Sequence, residues 1–175
     1  MPTTTHALSL PLMPHDAPLP AFRWHTSADL AHEAGAARLH LNVRSLDPGL
    51  FSYPYHFHRQ AEEVFVILAG RAMLRTPTGF SELVEGDVVV FETGPSGAHQ
   101  LFNHTAEPCR YLDLATLPEV DVCEYPDTGK VAVLPYRLIV GANQRVGYYD
   151  GEEYVAKQWP AGIVGQQRDG VGGES

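Results

Sequence analysis

The chain has 175 residues, enough for one full-sized domain with a core of its own. Its 44% hydrophobic content is that of a globular protein, not a disordered one. A net charge of −9, with no cluster of Lys or Arg, argues against a phosphate-backbone partner and against an anionic membrane surface.

Glycine (16) and proline (14) are both plentiful and helical periodicity is scarce, which favours many short strands joined by turns. Residues 1–36 read as an extended N-terminal arm, because Pro11, Pro14, Pro18 and Pro20 forbid regular structure across its first part. Within it, Thr26–Ala37 has room for one helical turn, with Ser27 as N-cap and Gly35 as stop. The arm lacks a basic region followed by an apolar core, so no signal peptide is expected. No segment reaches the roughly 20 apolar residues that span a bilayer, and a cytoplasmic location is the expectation.

From Arg38 the chain reads as β-structure. In Arg38–Arg44 apolar and polar residues alternate, which predicts a half-buried strand with His40 on a solvated face. Asp47-Pro48-Gly49 is a turn. Strands are predicted around 52–58, 62–69, 71–76, 80–84, 87–91, 98–104 and 109–116, punctuated by Gly70, Pro77/Gly79, Gly86 and Gly94–Gly97. Strands at this spacing with no intervening helices form a sandwich or small barrel. Val64, Val66 and Leu68 oppose Glu63, Phe65 and Ile67, and Val88–Phe91 is apolar on both faces. The outer wall therefore calls for a cover, either the terminal arms or the second subunit of a homodimer. Past Ala115, Asp121–Pro126 and Lys130–Leu134 are strand-like, and Gly162–Ser175 is a polar, glycine-rich tail expected to fray. Cys109 and Cys123 form no CxxC pair and read as buried thiols.

The chemistry concentrates in Tyr55-His56-Phe57-His58-Arg59-Gln60-Ala61-Glu62-Glu63. On a strand, His56 and His58 project into one space, and parity with Phe65 and Ile67 selects Glu63 over Glu62 as the inward carboxylate. Further on, Gly94-Pro95-Ser96-Gly97 feeds a stretch in which His99, Leu101 and Asn103 share a face, making His99 a fourth ligand. Three imidazoles and a carboxylate suit one divalent transition metal ion, with Fe, Mn, Zn and Ni all possible. His104 faces away from His99 and replaces it only if a bulge at Gly97 reverses the parity. Gln60 and Asn103 are candidates to orient the histidines. Tyr53, Tyr55, Phe65, Phe102 and Tyr111 read as core aromatics, and His6, His15, His25 and His32 as chemically idle.

This constellation resembles the cupin family. Its first motif corresponds to Gly49, His56-Phe57-His58, Glu63 and Gly70, with four residues between His58 and Glu63 and six between Glu63 and Gly70 as in the family, and Gly49 one residue further upstream than usual. Gly86, Pro95-Ser96-Gly97, His99 and Asn103 match its second motif, although the gap from Gly86 to Pro95 is longer and only Ala98 separates Gly97 from His99. Asp121–Asp127 is also similar to a subgroup of single-domain bacterial cupins with no assigned reaction. The resemblance implies an all-β double-stranded β-helix (jelly-roll-like) barrel over residues 37–118, with the N-terminal arm before it and residues 119–175 as a C-terminal arm and tail. It also implies the metal, but not the reaction. A metal-dependent dioxygenase, decarboxylase or isomerase acting on a small organic molecule is one expectation. A non-catalytic module binding a sugar or organic acid is the alternative, and a metal that merely staples the fold is the third.

Overall fold

The computed structural model describes residues 3–141 and 147–164, so the expected tail lies outside the described residues from 165 onward. In chain order the strands are β1 (Met13–His15), β2 (Trp24–Thr26), β3 (Leu39–Leu46), β4 (Phe57–His58), β5 (Glu63–Ala69), β6 (Arg71–Thr76) and β7 (Gly79–Val84). They continue as β8 (Val88–Phe91), β9 (Gln100–Phe102), β10 (Cys109–Thr116), β11 (Asp121–Tyr125), β12 (Lys130–Leu134) and β13 (Leu138–Val140). One turn of α-helix, α1 (Leu30–Glu33), precedes β3.

The strands form three antiparallel ladders, ordered β1-β2-β3-β10-β5-β8, β13-β12-β11-β4 and β7-β6-β9. Isolated bridges join His56 to His99 and Phe51 to Phe102, and the ladders do not close into one continuous hydrogen-bonded barrel. The architecture is an all-β jelly-roll sandwich. Leu46, Phe65, Ile67, Phe91 and Tyr111 from the six-stranded ladder pack against Ala72, Leu74, Leu83 and Leu101 from the three-stranded one, and this apolar layer is the main core.

Local chemistry explains where elements stop. The predicted strand over 52–58 survives only as β4, because Pro54 supplies no N–H to a ladder. The helical turn is capped by Asp29, not Ser27: its carboxylate accepts the N–H groups of Ala31 (3.0 Å) and His32 (3.2 Å). Ser27 instead donates its hydroxyl to the Ala28 carbonyl and accepts the Val43 N–H. Gly35 stops the turn at φ +78°.

Both arms join the sheets. β2 pairs with the end of β3, and β11 pairs with β4 so that Cys123 lies opposite His58. Lys130 on β12 is buried and donates to the carbonyls of Tyr148 (2.7 Å) and Asp150 (2.8 Å) and to Glu152 Oε1 (3.0 Å), tying residues 148–152 to the sheet. On the outer face of the six-stranded ladder, Val88 and Val90 remain 61% and 66% exposed.

Candidate metal centre

Each histidine of the candidate site has one ring nitrogen committed to an oxygen. His56 Nδ1 lies 2.8 Å from the Pro54 carbonyl, and His99 Nδ1 lies 2.9 Å from the Gly97 carbonyl. His58 Nδ1 meets Asp121 Oδ2. Such partners hold the proton on Nδ1 and leave Nε2 as the lone-pair donor. His99 Nε2 and Glu63 Oε2 are 3.1 Å apart, both fully buried, and neither has a hydrogen-bond partner. Glu63 Oε2 is also 3.8 Å from His58 Nε2.

The ligand atoms of His56, Glu63 and His99 all lie within 4.8 Å of one another, and so do those of His56, His58 and Cys123. Three of the four predicted ligands, His56, Glu63 and His99, thus make one triad, while His58, drawn toward Asp121, joins His56 and Cys123 in a second. Two orphaned buried polar atoms beside neutral nitrogen donors are the arrangement a divalent cation relieves, so the donor set fits the expected ion.

The protonation preferences follow from the surroundings. Burial, reinforced by His99 and His58, pushes His56 down to about 3, so its imidazole is neutral. Burial opposes ionisation of Glu63, but His99, His58 and His56 outweigh it and hold the carboxylate well below its ordinary range. For His58, burial favours the neutral ring, yet Asp121 and Glu63 prevail and raise its pKa. Burial lifts Asp113 up to about 7, aided by Glu63 and opposed by Arg44.

Above the centre opens a cavity of about 610 Å³, with His58, Glu63, Arg44, Tyr53, Asp113 and Tyr125 on its walls. Several of these residues correct the sequence reading. The polar side of β3 faces inward: Arg44 is 6% exposed and sets its Nε 2.6 Å from Asp113 Oδ2. His40 is not solvated but half-buried, with Nδ1 2.8 Å from Asp29 Oδ2. Tyr53 is not merely a core aromatic. Its stretch is not regular strand, and its ring stands edge-on to His56 at 5.7 Å. His15 was read as idle, yet it stacks on Trp24 at 4.1 Å and reaches the cavity.

The structure also separates what does not belong. His104 bonds Glu82 at 2.9 Å, apart from the centre. Gln60 is exposed, and Asn103 donates to the carbonyls of Leu46 and Glu107, so backbone carbonyls and Asp121 orient the histidines instead. Phe65, Phe102 and Tyr111 are packed in the core, and Tyr55 lies under Arg75 at 3.9 Å. Both cysteines are free and buried. Gly97 must be glycine, because a Cβ there would run into the Glu92 carbonyl.

Among known proteins, residues 42–115 match the family model of the cupin domain. No curated protein matches the chain. Among solved structures, a sugar phosphate isomerase of the cupin superfamily from Silicibacter pomeroyi is 20% identical, with a TM-score of 0.65 over 85% of this chain and 94% of that one. The polyketide cyclase RemF from Streptomyces resistomycificus is 19% identical, with a TM-score of 0.60 over 91% of this chain and 95% of that one. At these identities the likeness is one of fold. No helix among the described residues is long and apolar enough to cross a membrane. The jelly-roll order, the two histidine-bearing motifs and the family match agree: residues 42–115 match a cupin domain, and the fold is that of cupin-superfamily structures.

Proposed function

We infer that this protein is a metal-dependent enzyme acting on a small organic molecule, with one divalent transition metal ion held by His56, His58, Glu63 and His99. The observation that carries the reading is the pair of orphaned buried atoms, His99 Nε2 and Glu63 Oε2, 3.1 Å apart, beside a cavity of about 610 Å³ that Glu63 and His58 line. When bound, an ion with open positions supplies Lewis-acid polarisation of a coordinated oxygen, the common element of dioxygenase, decarboxylase and isomerase chemistry.

The chain's own residues do the rest. Pro54, Gly97 and Asp121 fix the imidazole tautomers, and Tyr125, Tyr148 and Tyr149 wall the cavity. Sugar phosphate isomerase and polyketide cyclase, the activities named for the two structural neighbours, are both reactions of small organic molecules and accord with such a substrate. Residues 37–118 make up the catalytic body in this reading, with 1–36 and 119–175 as the arms that finish its walls. A second copy of the chain suits the exposed face of Val88 and Val90, and light scattering in solution tests that dimer.

Protein purified without a metal-affinity resin should carry about one equivalent of a divalent ion by elemental analysis. A His56→Ala/His58→Ala variant should lose both the ion and turnover across a panel of small organic acids and sugars, assayed with and without O₂. Turnover retained by the metal-free variant sinks the proposal. A ligand that stabilises the protein but is recovered chemically unchanged favours a binding module instead.

A further inference from the structure

Arg44 has no place in the cupin motifs, yet it is among the most constrained side chains of the cavity. Its guanidinium packs against a T-shaped pair of aromatic rings, 4.4 Å from the centroid of Trp24 and 4.8 Å from that of Tyr53, whose centroids are 5.1 Å apart. His15 stacks on Trp24 at 4.1 Å, so the N-terminal arm buttresses this pair. One edge of the fork is occupied: Nε faces Asp113 Oδ2 at 2.6 Å, and Nη2 lies 3.5 Å from His40 Nε2. Nη1 has no protein acceptor among the described residues, and Arg44 borders the cavity that Glu63 and His58 also border.

A permanently charged, planar group held in place by two rings and a carboxylate, with donors left over, is a receptor for an oxyanion. We propose that Arg44 is the substrate's carboxylate anchor, and that the cavity takes a small organic monocarboxylate whose other end reaches the metal centre. This rests on the metal-dependent reading given above and names its substrate class.

Carboxylate is favoured over phosphate by the local charge. With Asp113 already facing the guanidinium and Glu63 nearby, every further negative charge on the ligand is disfavoured, so a monoanion meets less repulsion there than a phosphate dianion. Tyr125, Leu134, Ile139 and Tyr148 also line the cavity and suit an apolar body.

The test is a calorimetric titration of the full chain with acetate, oxalate, benzoate, the neutral isostere benzamide, and inorganic phosphate, on metal-loaded and on EDTA-treated protein. Benzoate should bind at least about tenfold tighter than benzamide in both metal states. In an Arg44→Met/Asp113→Asn variant, which leaves no unpaired buried charge, that preference should vanish while the circular dichroism stays native. Arg44→Lys keeps the charge but loses the fork, so it should lose most of the preference and provides a second route if the double variant does not fold. The proposal is overturned by benzoate binding no tighter than benzamide, by phosphate outcompeting every carboxylate, by no carboxylate binding at all, or by a preference that survives in the variants. A preference present only in metal-loaded protein and indifferent to Arg44 also overturns it, while leaving the metal reading intact. Failure of the protein to take up any divalent ion sinks the metal reading instead and leaves the EDTA-treated comparison to decide on Arg44.

Discussion

Replacing Lys130 with Met should destabilise the protein by about 4 kcal/mol, the middle of the range for breaking a buried ion pair from one side. The ammonium is buried and satisfies three acceptors at once: the Tyr148 and Asp150 carbonyls at 2.7 and 2.8 Å and Glu152 Oε1 at 3.0 Å. Met fills a similar volume but strands all three. For a chain of this size the loss corresponds to a fall in Tm of roughly 8–16 °C. The deficit should depend on pH with a definite sign. Burial already raises the Glu152 pKa above its ordinary value of 4.5, although Lys130 opposes the rise. Without Lys130 it climbs further, so the folded variant binds a proton that the unfolded chain does not. A raised carboxyl contributes stability that returns as pH falls through the folded value, so the gap to the parent should narrow between pH 8 and pH 5.5. Urea unfolding followed by far-UV circular dichroism at both pH values measures it. A Lys130→Met/Glu152→Leu variant should recover most of the loss. A deficit indifferent to pH, or a double variant no better than the single, refutes the reasoning. The consequence is also functional, since residues 148–152 carry Tyr148 and Tyr149 into the cavity wall.

Other expectations are sharper at the metal centre. In Asp121→Asn, Oδ1 can keep its bonds to the Gln60 and Ala61 N–H groups, but an amide N–H then confronts His58 Nδ1 and moves its proton to Nε2. Co(II) or Mn(II) affinity should fall about 10- to 100-fold with the fold unchanged. His104→Ala should leave metal uptake untouched, whereas His99→Ala should abolish it, as read by equilibrium dialysis. Gly97→Ala must displace the Glu92 carbonyl and with it the approach to His99, so it should cost metal affinity as well as stability, seen as a lower Tm and weaker Co(II) binding. Burial pushes the Cys109 thiol up from 9.0 to about 12. Its stabilising effect is therefore complete below pH 9 and lost as pH rises toward 12, by an amount on the order of 4 kcal/mol, and a Cys109→Ala variant should show no such alkaline loss in urea melts.

Strands with their own punctuation were legible from the residues alone. β6 and β10 occupy the predicted ranges, and Gly70 and Pro77 are what bound β6. The stretch 52–58 was not legible in this way, since an apolar-aromatic run says nothing about which N–H groups find a ladder, and Pro54 interrupts it. The helix cap was missed for a related reason. Ser27 and Asp29 are both good caps, and the choice was made by β3, whose Leu41 N–H and His40 ring also converge on Asp29.

At the candidate site, spacing pointed to residues with local or motif-borne partners, of which the fold brings His56, Glu63 and His99 within 4.8 Å of one another and groups His58 with His56 and Cys123. It missed Asp121 and Cys123, which reach His58 only through the pairing of β11 with β4, a contact between residues 63 apart in the case of Asp121. It misplaced Arg44 because alternation establishes which side chains share a face, not which face is inside. β3 pairs with β10 so that Arg44 lies opposite Tyr111 and Asn42 opposite Asp113, and the face shared by Arg44 and Asp113 is the one turned to the cavity. An apolar pair of similar volume there would be as stable or more so, since desolvating two charges commonly outweighs their attraction. Stability therefore gives no reason for Arg44 and Asp113 to stand 6% and 1% exposed in the interior. Their placement makes sense where the chemistry is, beside Glu63, and a strand whose polar face turns inward is on that ground a mark of the binding site.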